Sequence, residues 1–326
     1  MDLVETYREE LRFARKPLGR SLLIALLILL TALPWWAPGF WLSHGALVWL
    51  FAIGIVGQNL LIGYAGQISF GQAGFLAIGA YAFGHLRIAG LPFALALVAA
   101  GVAAGIVGLL VGFPSLRLKG PYLAIATMGF GTAVYQIFTN VSVLSGGHAG
   151  LALPPLALPG GMSREVYLYL LYFALFLLFT AIAYNVVSSY VGRAFVAIRD
   201  SDIAAEAMGV NLARYKLLAF ALSSFYTGVH GALFAQYLGH LEPQSFSIEQ
   251  TITIFVAVIV GGLASIEGSV FGAAFVILVP ALLGSFRWAI PVLFGAAIMV
   301  TMIFEPLGFA GLWIKTRLYF RLWPFR

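Results

Sequence analysis

The sequence predicts an all-α, polytopic integral membrane protein, and three observations predict it. Hydrophobic residues make up 62% of the 326 residues, against about 45–50% in globular domains. Charged residues are 9%, against roughly 25%. The few charges fall in clusters, and residues 21–86 carry none. So few charges cannot clothe a water-soluble surface, so a soluble enzyme is excluded. The net charge of +6 reflects basic residues flanking membrane spans and does not call for nucleic acid. The absence of cysteine removes disulfides, thiolate nucleophiles and cysteine metal sites.

A helical span needs about 20 apolar residues, and the chain divides at its charges and turn residues into about ten such segments. Residues 1–19 form a cytoplasmic N-terminal arm rich in charge, with Arg8, Arg12, Arg15 and Lys16, and Arg20 follows directly. The first segment, 20–36, ends at Pro34, Pro38 and Gly39. It lacks a small-residue cleavage site and reads as an anchor, not a signal peptide. Segments 44–62 and 67–86 follow, the latter closed by Arg87. Segment 92–112 starts past Gly90 and Pro92 and stops before Arg117, and 121–140 opens on Gly120-Pro121. A Gly- and Pro-rich outside loop, 141–165, precedes segment 166–187. A charged cytoplasmic connection, 188–216, leads to segment 216–238. Segments 250–263 and 268–284 are short, as half-helices or tilted helices would be. Segment 288–305 completes a transmembrane domain of 20–310, and 311–326 is a basic cytoplasmic tail. With both termini inside, fifteen basic residues lie in inside loops and three (Arg87, Arg164, Arg287) outside, as the positive-inside rule requires.

The spans are nearly free of ionisable side chains. Glu305 lies at a cytoplasmic end, Glu267 in a Gly-rich turn, and Glu242 and Glu249 in an outside loop. His44 and His85 sit near span ends and His240 in a loop. Only His230 falls at depth, where a hydrogen-bonded packing role is expected rather than a proton relay. Proton or sodium coupling needs such ligands within the membrane, so energy comes from elsewhere or flux is passive. H-E-x-x-H, G-x-S-x-G and a P-loop are absent, and none of Lys16, Lys119, Lys216 or Lys315 follows a glycine, so the chain has no nucleotide-hydrolysing motif of that type.

Small residues recur at helical spacing: Gly101, Gly105, Gly108 and Gly112 in one segment, and Ser69, Ala73 and Ala77 in another. Tight helix packing is the expected use. The polar stretch 57–75 differs. Gln58, Asn59, Gln67, Ser69 and Gln72 cluster there, interleaved with Gly63, Gly66, Gly71 and Gly74. It is either a broken helix lining a pathway or a cytoplasmic hairpin.

The connection 188–216 carries seven charges of both signs, with Phe195, Ile198, Ile203, Ala207 and Val210 between them at helical spacing. Asp200-Ser201-Asp202 predicts a turn and N-cap that starts a second short helix closing at Gly209. Two short amphipathic helices suit docking to a soluble partner, and the mixed charge argues against a helix resting on lipid headgroups.

Several motifs here resemble the permease subunits of branched-chain amino acid ABC importers, specifically the M-type partner of the H/M pair. They are Gly192-Arg193, Ala197-Ile198-Arg199, Asp200 and Asp202, Ala204 to Gly209, Lys216 and Phe220. Gly231-Ala232-Leu233, Pro243-Gln244-Ser245-Phe246 and Gly261-Gly262 continue the likeness. Gly63 to Gly71 and Leu116 to Ile125 match two earlier signatures, and the resemblance spans most of 44–310. It departs where Ala264 replaces a usual glycine, where Glu267 adds a charge, and at Glu305 to Phe309. The resemblance implies a permease that translocates aliphatic amino acids across a bacterial or archaeal plasma (inner) membrane. It implies a second homologous permease, two cytoplasmic ATP-binding subunits and an extracytoplasmic binding protein, with no cofactor on this chain and ATP and magnesium on its partners. Gly192, Arg193, Arg199, Asp200, Asp202, Glu206 and Gly209 would form the coupling surface. Gln58, Gln67, Ser69, Gln72 and Thr127 would line or brace the pathway, and loop 141–165 would meet the binding protein or the companion permease. Urea, amide and other amino acid systems share this permease type, and a stand-alone facilitator is the rival reading.

Overall fold

The computed structural model describes residues 17–322 except 119, 148, 149, 157, 159, 160, 285 and 306. Most of the N-terminal arm, Lys119 of one signature, His148 in the 141–165 loop and Pro306 therefore lie outside the described residues. The helices in chain order are α1 (Pro17–Ala32), α2 (Gly39–Asn59), α3 (Gln72–Ile88), α4 (Phe93–Ser115), α5 (Pro121–Asn140), the one-turn α6 (Ser142–Ser145) and α7 (Arg164–Ser188). They continue as α8 (Tyr190–Asp200), α9 (Asp202–Ala207), α10 (Leu212–Leu238), α11 (Ile248–Gly261), α12 (Ile266–Leu282), α13 (Ile290–Phe304) and α14 (Gly308–Leu322). Five helical stretches are long and apolar enough to cross a membrane: Gly39–Tyr64, Phe93–Ser115, Arg164–Ser188, Leu212–Leu238 and Pro243–Gly261. Ile24–Trp35, Ile266–Leu282 and Ile290–Phe304 are shorter apolar helices. The chain is a polytopic, helical membrane protein.

Glycines let the helices meet backbone to backbone. Gly101, Gly105, Gly108 and Gly112 of α4 pass Val229, Phe225, Ser224 and Leu217 of α10 in reverse order, so the two run antiparallel at close range. Gly54 and Gly57 of α2 face His230 and Tyr226, which makes α2 antiparallel to α10 as well. Gly79 of α3 lies on the backbone of Gly228, and Gly231 on that of Leu76. The α10 helix is thus wedged between α2, α3 and α4 at the centre of the bundle. Gly261, Gly268 and Gly272 zip α11 to α12 as a tight hairpin. Such close approach gains the dispersion that holds helices together where lipid offers no hydrophobic drive.

Two expectations change. The third segment becomes helical only at Gln72, so Ser69 stands on an extended run and does not share a helix with Ala73 and Ala77. His230 is packed but not hydrogen-bonded, because its ring sits on Gly54 with Phe51 at 4.6 Å and Phe234 at 6.3 Å between centroids. Residues 311–322 of the expected basic tail belong to the helix α14, which starts at Gly308. Loop 141–165 contains α6 and the strand β1 (Leu151–Ala152), which pairs antiparallel with β2 (His240–Leu241) and ties the loop to the end of α10.

Candidate functional site: a polar junction seated on two short helices

The α2 helix does not stop cleanly. Leu60–Tyr64 forms a π turn, a local widening found often at functional sites, and an extended run follows to Gly71 before α3 begins. Helix α3 has 17 residues, a length of about 25 Å that falls short of a hydrocarbon core of about 30 Å. The extended run supplies the rest. Its far end lies at depth, since the Thr227 hydroxyl, which donates to Gln72 Oε1, belongs to the middle of α10.

Buried side chains satisfy this run. Gln58 Nε2 donates to the Ser69 carbonyl at 2.9 Å, and the Gln72 amide donates to Gln58 Oε1. Thr127 Oγ1 accepts from the Phe70 amide at 2.9 Å, and Thr251 Oγ1 accepts from the Ala73 amide at 2.9 Å. Amides in an apolar interior are costly unless paired, and here α5, α10 and α11 each supply a partner. The 57–75 stretch is a helix break packed inside the protein.

A second break, Gly262–Ser265, joins α11 to α12. Asn59, at the last turn of α2, holds it: its Nδ2 donates to the Gly262 carbonyl at 3.1 Å and the Ser265 carbonyl at 2.8 Å, and its Oδ1 accepts from the Ala264 amide at 2.8 Å. Ala264, where a glycine is usual in the family pattern, has φ +56°, the sole positive-φ non-glycine among the described residues. That conformation costs a residue with a Cβ about 1 kcal/mol, and the Asn59 bond holds it in place.

Below the first break lie α8 and α9. Ser189 and Ser201 cap them, accepting from the amides of Val191 and Ala204. Gly209, at φ +82°, closes α9 in the left-handed turn favoured there. Gly192 is required because a Cβ would strike the Val187 backbone. Helix α8 buries Phe195 in a separate apolar cluster with Leu61 and Ala65 of the break, Leu123 of α5, and Ala219 and Phe220 of α10. Its last turn aims Arg199 at the π turn, where Nη1 donates to the Gly63 carbonyl at 3.1 Å while Asp200 Oδ1 accepts from Nε and Nη2 at 3.1 and 3.0 Å. Gly66 lies against the Arg199 Cα and Cγ. Asp202 pairs with Lys216 at 2.8 Å, closing the α8–α9 unit onto α10.

The residues expected at the pathway are therefore brought together. Gln58, Ser69, Gln72 and Thr127 brace one junction, and Gln67 is buried beside it with its Nε2 unpartnered. The expected coupling residues split in two. Arg199, still 36% exposed, and Asp202 act as ties to the break and to α10, Gly192 and Gly209 shape the backbone, and Arg193, Asp200 and Glu206 are exposed. The outward face instead owes its character to Ile203 and Met208, 81% and 85% exposed. Asn59, Phe195, Thr227 and Thr251 were not singled out as site residues. Asn59 lay in the polar cluster, and Thr227, four residues after Ser223 in an apolar helix, was the available signal.

Ion pairs at the bundle's ends, a polar unwound segment at depth and a capped helix, α8, seated on that segment define a class: a multi-pass helical membrane protein with an interrupted span. The comparisons place it further. The family model of the branched-chain amino acid transport system permease component matches residues 39–304, and the chain belongs to that family. It is 31% identical over 312 residues to the high-affinity branched-chain amino acid transport system permease protein LivM of Escherichia coli K12, covering 88% of this chain and 73% of that protein. It is 30% identical over the same length to the protein of that name from Salmonella typhimurium. To the probable branched-chain amino acid transport permease protein LivM of Methanocaldococcus jannaschii it is 24% identical over 315 residues, covering 80% of this chain and 91% of that protein. No solved structure matches the chain.

Proposed function

We propose that this chain is a permease subunit of an ATP-powered importer that carries branched-chain amino acids across the plasma (inner) membrane of a bacterial or archaeal cell. It works with a second homologous permease, two cytoplasmic ATP-binding subunits and an extracytoplasmic binding protein. The carrying observation is the seating of α8 on the α2 break through Arg199 and Phe195. A push on the exposed face of α8–α9 moves the unwound segment directly. The binding protein selects the substrate, so the permease needs only transient contacts with a zwitterion.

Ten crossings with both termini cytoplasmic fit this reading. Arg199, Asp202, Lys216, Glu267 and Glu305 gather where α2 ends and α10 begins, while Arg87, Arg164 and Glu242 lie at the opposite end. Exposed Trp35, Trp36, Trp41 and Trp288 fall at or just beyond span ends on one side, and Tyr122, Tyr190 and Trp313 on the other, as interfacial aromatics do.

The test is a mild-detergent pull-down of the tagged chain followed by leucine-stimulated ATP hydrolysis. Recovery of a homologous permease and P-loop ATPases, with leucine stimulation in the presence of the binding protein, is expected. Passive leucine flux by the isolated chain in proteoliposomes, with no ATPase recovered, would instead establish a facilitator.

A further inference from the structure

The extended run Gly66–Gly71 has two edges. Its inner edge carries Gln67 and Ser69 into the polar junction. Its outer edge carries Ile68, 39% exposed, and the half-buried Phe70, whose ring lies 4.7 Å from that of Phe255 on α11. Among the described residues, the N–H and C=O of Ile68 have no hydrogen-bond partner, and Gln67 Nε2 has none either. Unpaired peptide groups and irregular backbone at membrane depth are stable only inside protein or beside a wet cavity, and this chain leaves Ile68 incompletely covered. The outer faces of α4 and α13 are different: Val98, Val102, Ile106 and Leu110, or Val292, Met299 and Ile303, present apolar side chains over closed helical backbone.

We infer that the outer edge of Gly66–Gly71 is a transient subsite for the transported amino acid, an inference that rests on the permease reading above. The unpaired Ile68 N–H meets the substrate carboxylate and the Ile68 carbonyl its ammonium, while Ile68, Phe70 and Phe255 give its branched side chain an apolar wall. Peptide dipoles in place of fixed charges suit the task, since an ion pair would hold a zwitterion too tightly for release. The Phe195 and Arg199 contacts place this edge on the element that α8 moves.

The chain contains no cysteine, so Ile68→Cys adds a single thiol to it. The complex is reconstituted with its companion subunits and treated with the charged reagent methanethiosulfonate ethyltrimethylammonium, with and without leucine, and Val102→Cys on the outer face of α4 is the control. Ile68→Cys is expected to react at least about tenfold faster than Val102→Cys, because a charged reagent does not enter hydrocarbon, and leucine is expected to slow it. Phe70→Cys gives the same reading should Ile68→Cys fail to assemble. Reaction no faster than the control, or indifferent to leucine in a complex that still transports leucine, overturns the subsite and leaves the permease reading intact. Absence of leucine transport by the native complex overturns that reading itself.

Discussion

The Arg199 guanidinium donates to the Gly63 carbonyl at 3.1 Å across 136 residues of sequence, and this bond joins the capped helices at one end of the bundle to the unwound end of α2. Asp200 accepts from the same guanidinium on its exposed side. Phe195 is buried against Leu61 and Ala65 alongside, so α8 packs directly on the break. A hydrogen bond from a charged group contributes about 1.5–3 kcal/mol, enough to transmit a displacement but not enough to prevent one.

Asn59 is expected to hold the two breaks together. Asn59→Ala leaves the Ala264 amide and the Gly262 carbonyl unpaired, while the Ser265 carbonyl keeps the Ser269 hydroxyl, at about 1–3 kcal/mol for each buried group left unsatisfied. A lower melting temperature in detergent is the expected outcome. Asn59→Asp keeps the acceptor for Ala264 but turns a carboxylate oxygen toward the Gly262 and Ser265 carbonyls in a buried site, so it should lose at least as much.

The Asp202–Lys216 pair, with side chains 19% and 13% exposed, is an internal tie. Asp202→Lys should destabilise the α8–α9 unit by about 2–4 kcal/mol, somewhat below a fully buried pair because some exposure remains. Exchanging both charges should restore most of the loss. Proteolysis between α8 and α10 reports both outcomes.

Ile203 and Met208 carry the outward face. Replacing both with aspartate should leave the melting temperature unchanged and strip the ATP-binding subunits from the purified complex. Retention of those subunits at native stoichiometry would place docking elsewhere.

Glycines divide by what their missing side chain would meet. Gly79→Val would drive a side chain into the Gly228 backbone, and overpacking of this kind costs about 1–3 kcal/mol or more. Nothing lies near a Cβ at Gly129, so Gly129→Ala should be neutral or stabilising by up to about 1 kcal/mol. Membrane expression and thermal midpoints separate the two.

What was legible in the sequence was local. Ser201 as an N-cap and Gly209 as a helix end follow from side-chain chemistry within a few residues, and the structure has both. The amide and glycine run 57–75 announced an interruption, because such a composition is costly in a continuous lipid-facing helix. Its depth was not legible, since that depends on Thr227 and Thr251, which meet it from 155 and 178 residues away. Ile203 read as part of an apolar helix face, yet α9 has only six residues, too few for periodicity to say which side is buried. Arg199 and Asp202 looked like surface charges, and only tertiary packing gives them partners at Gly63 and Lys216.

The central claim is that α8 drives the α2 break through Arg199. Arg199→Ala is reconstituted with the companion subunits, and leucine uptake and ATP hydrolysis are measured in the same proteoliposomes. The expected result is an intact complex that still hydrolyses ATP while leucine carried per ATP falls at least about tenfold, the equivalent of the lost charged hydrogen bond. An intact complex with native leucine uptake per ATP would contradict the claim.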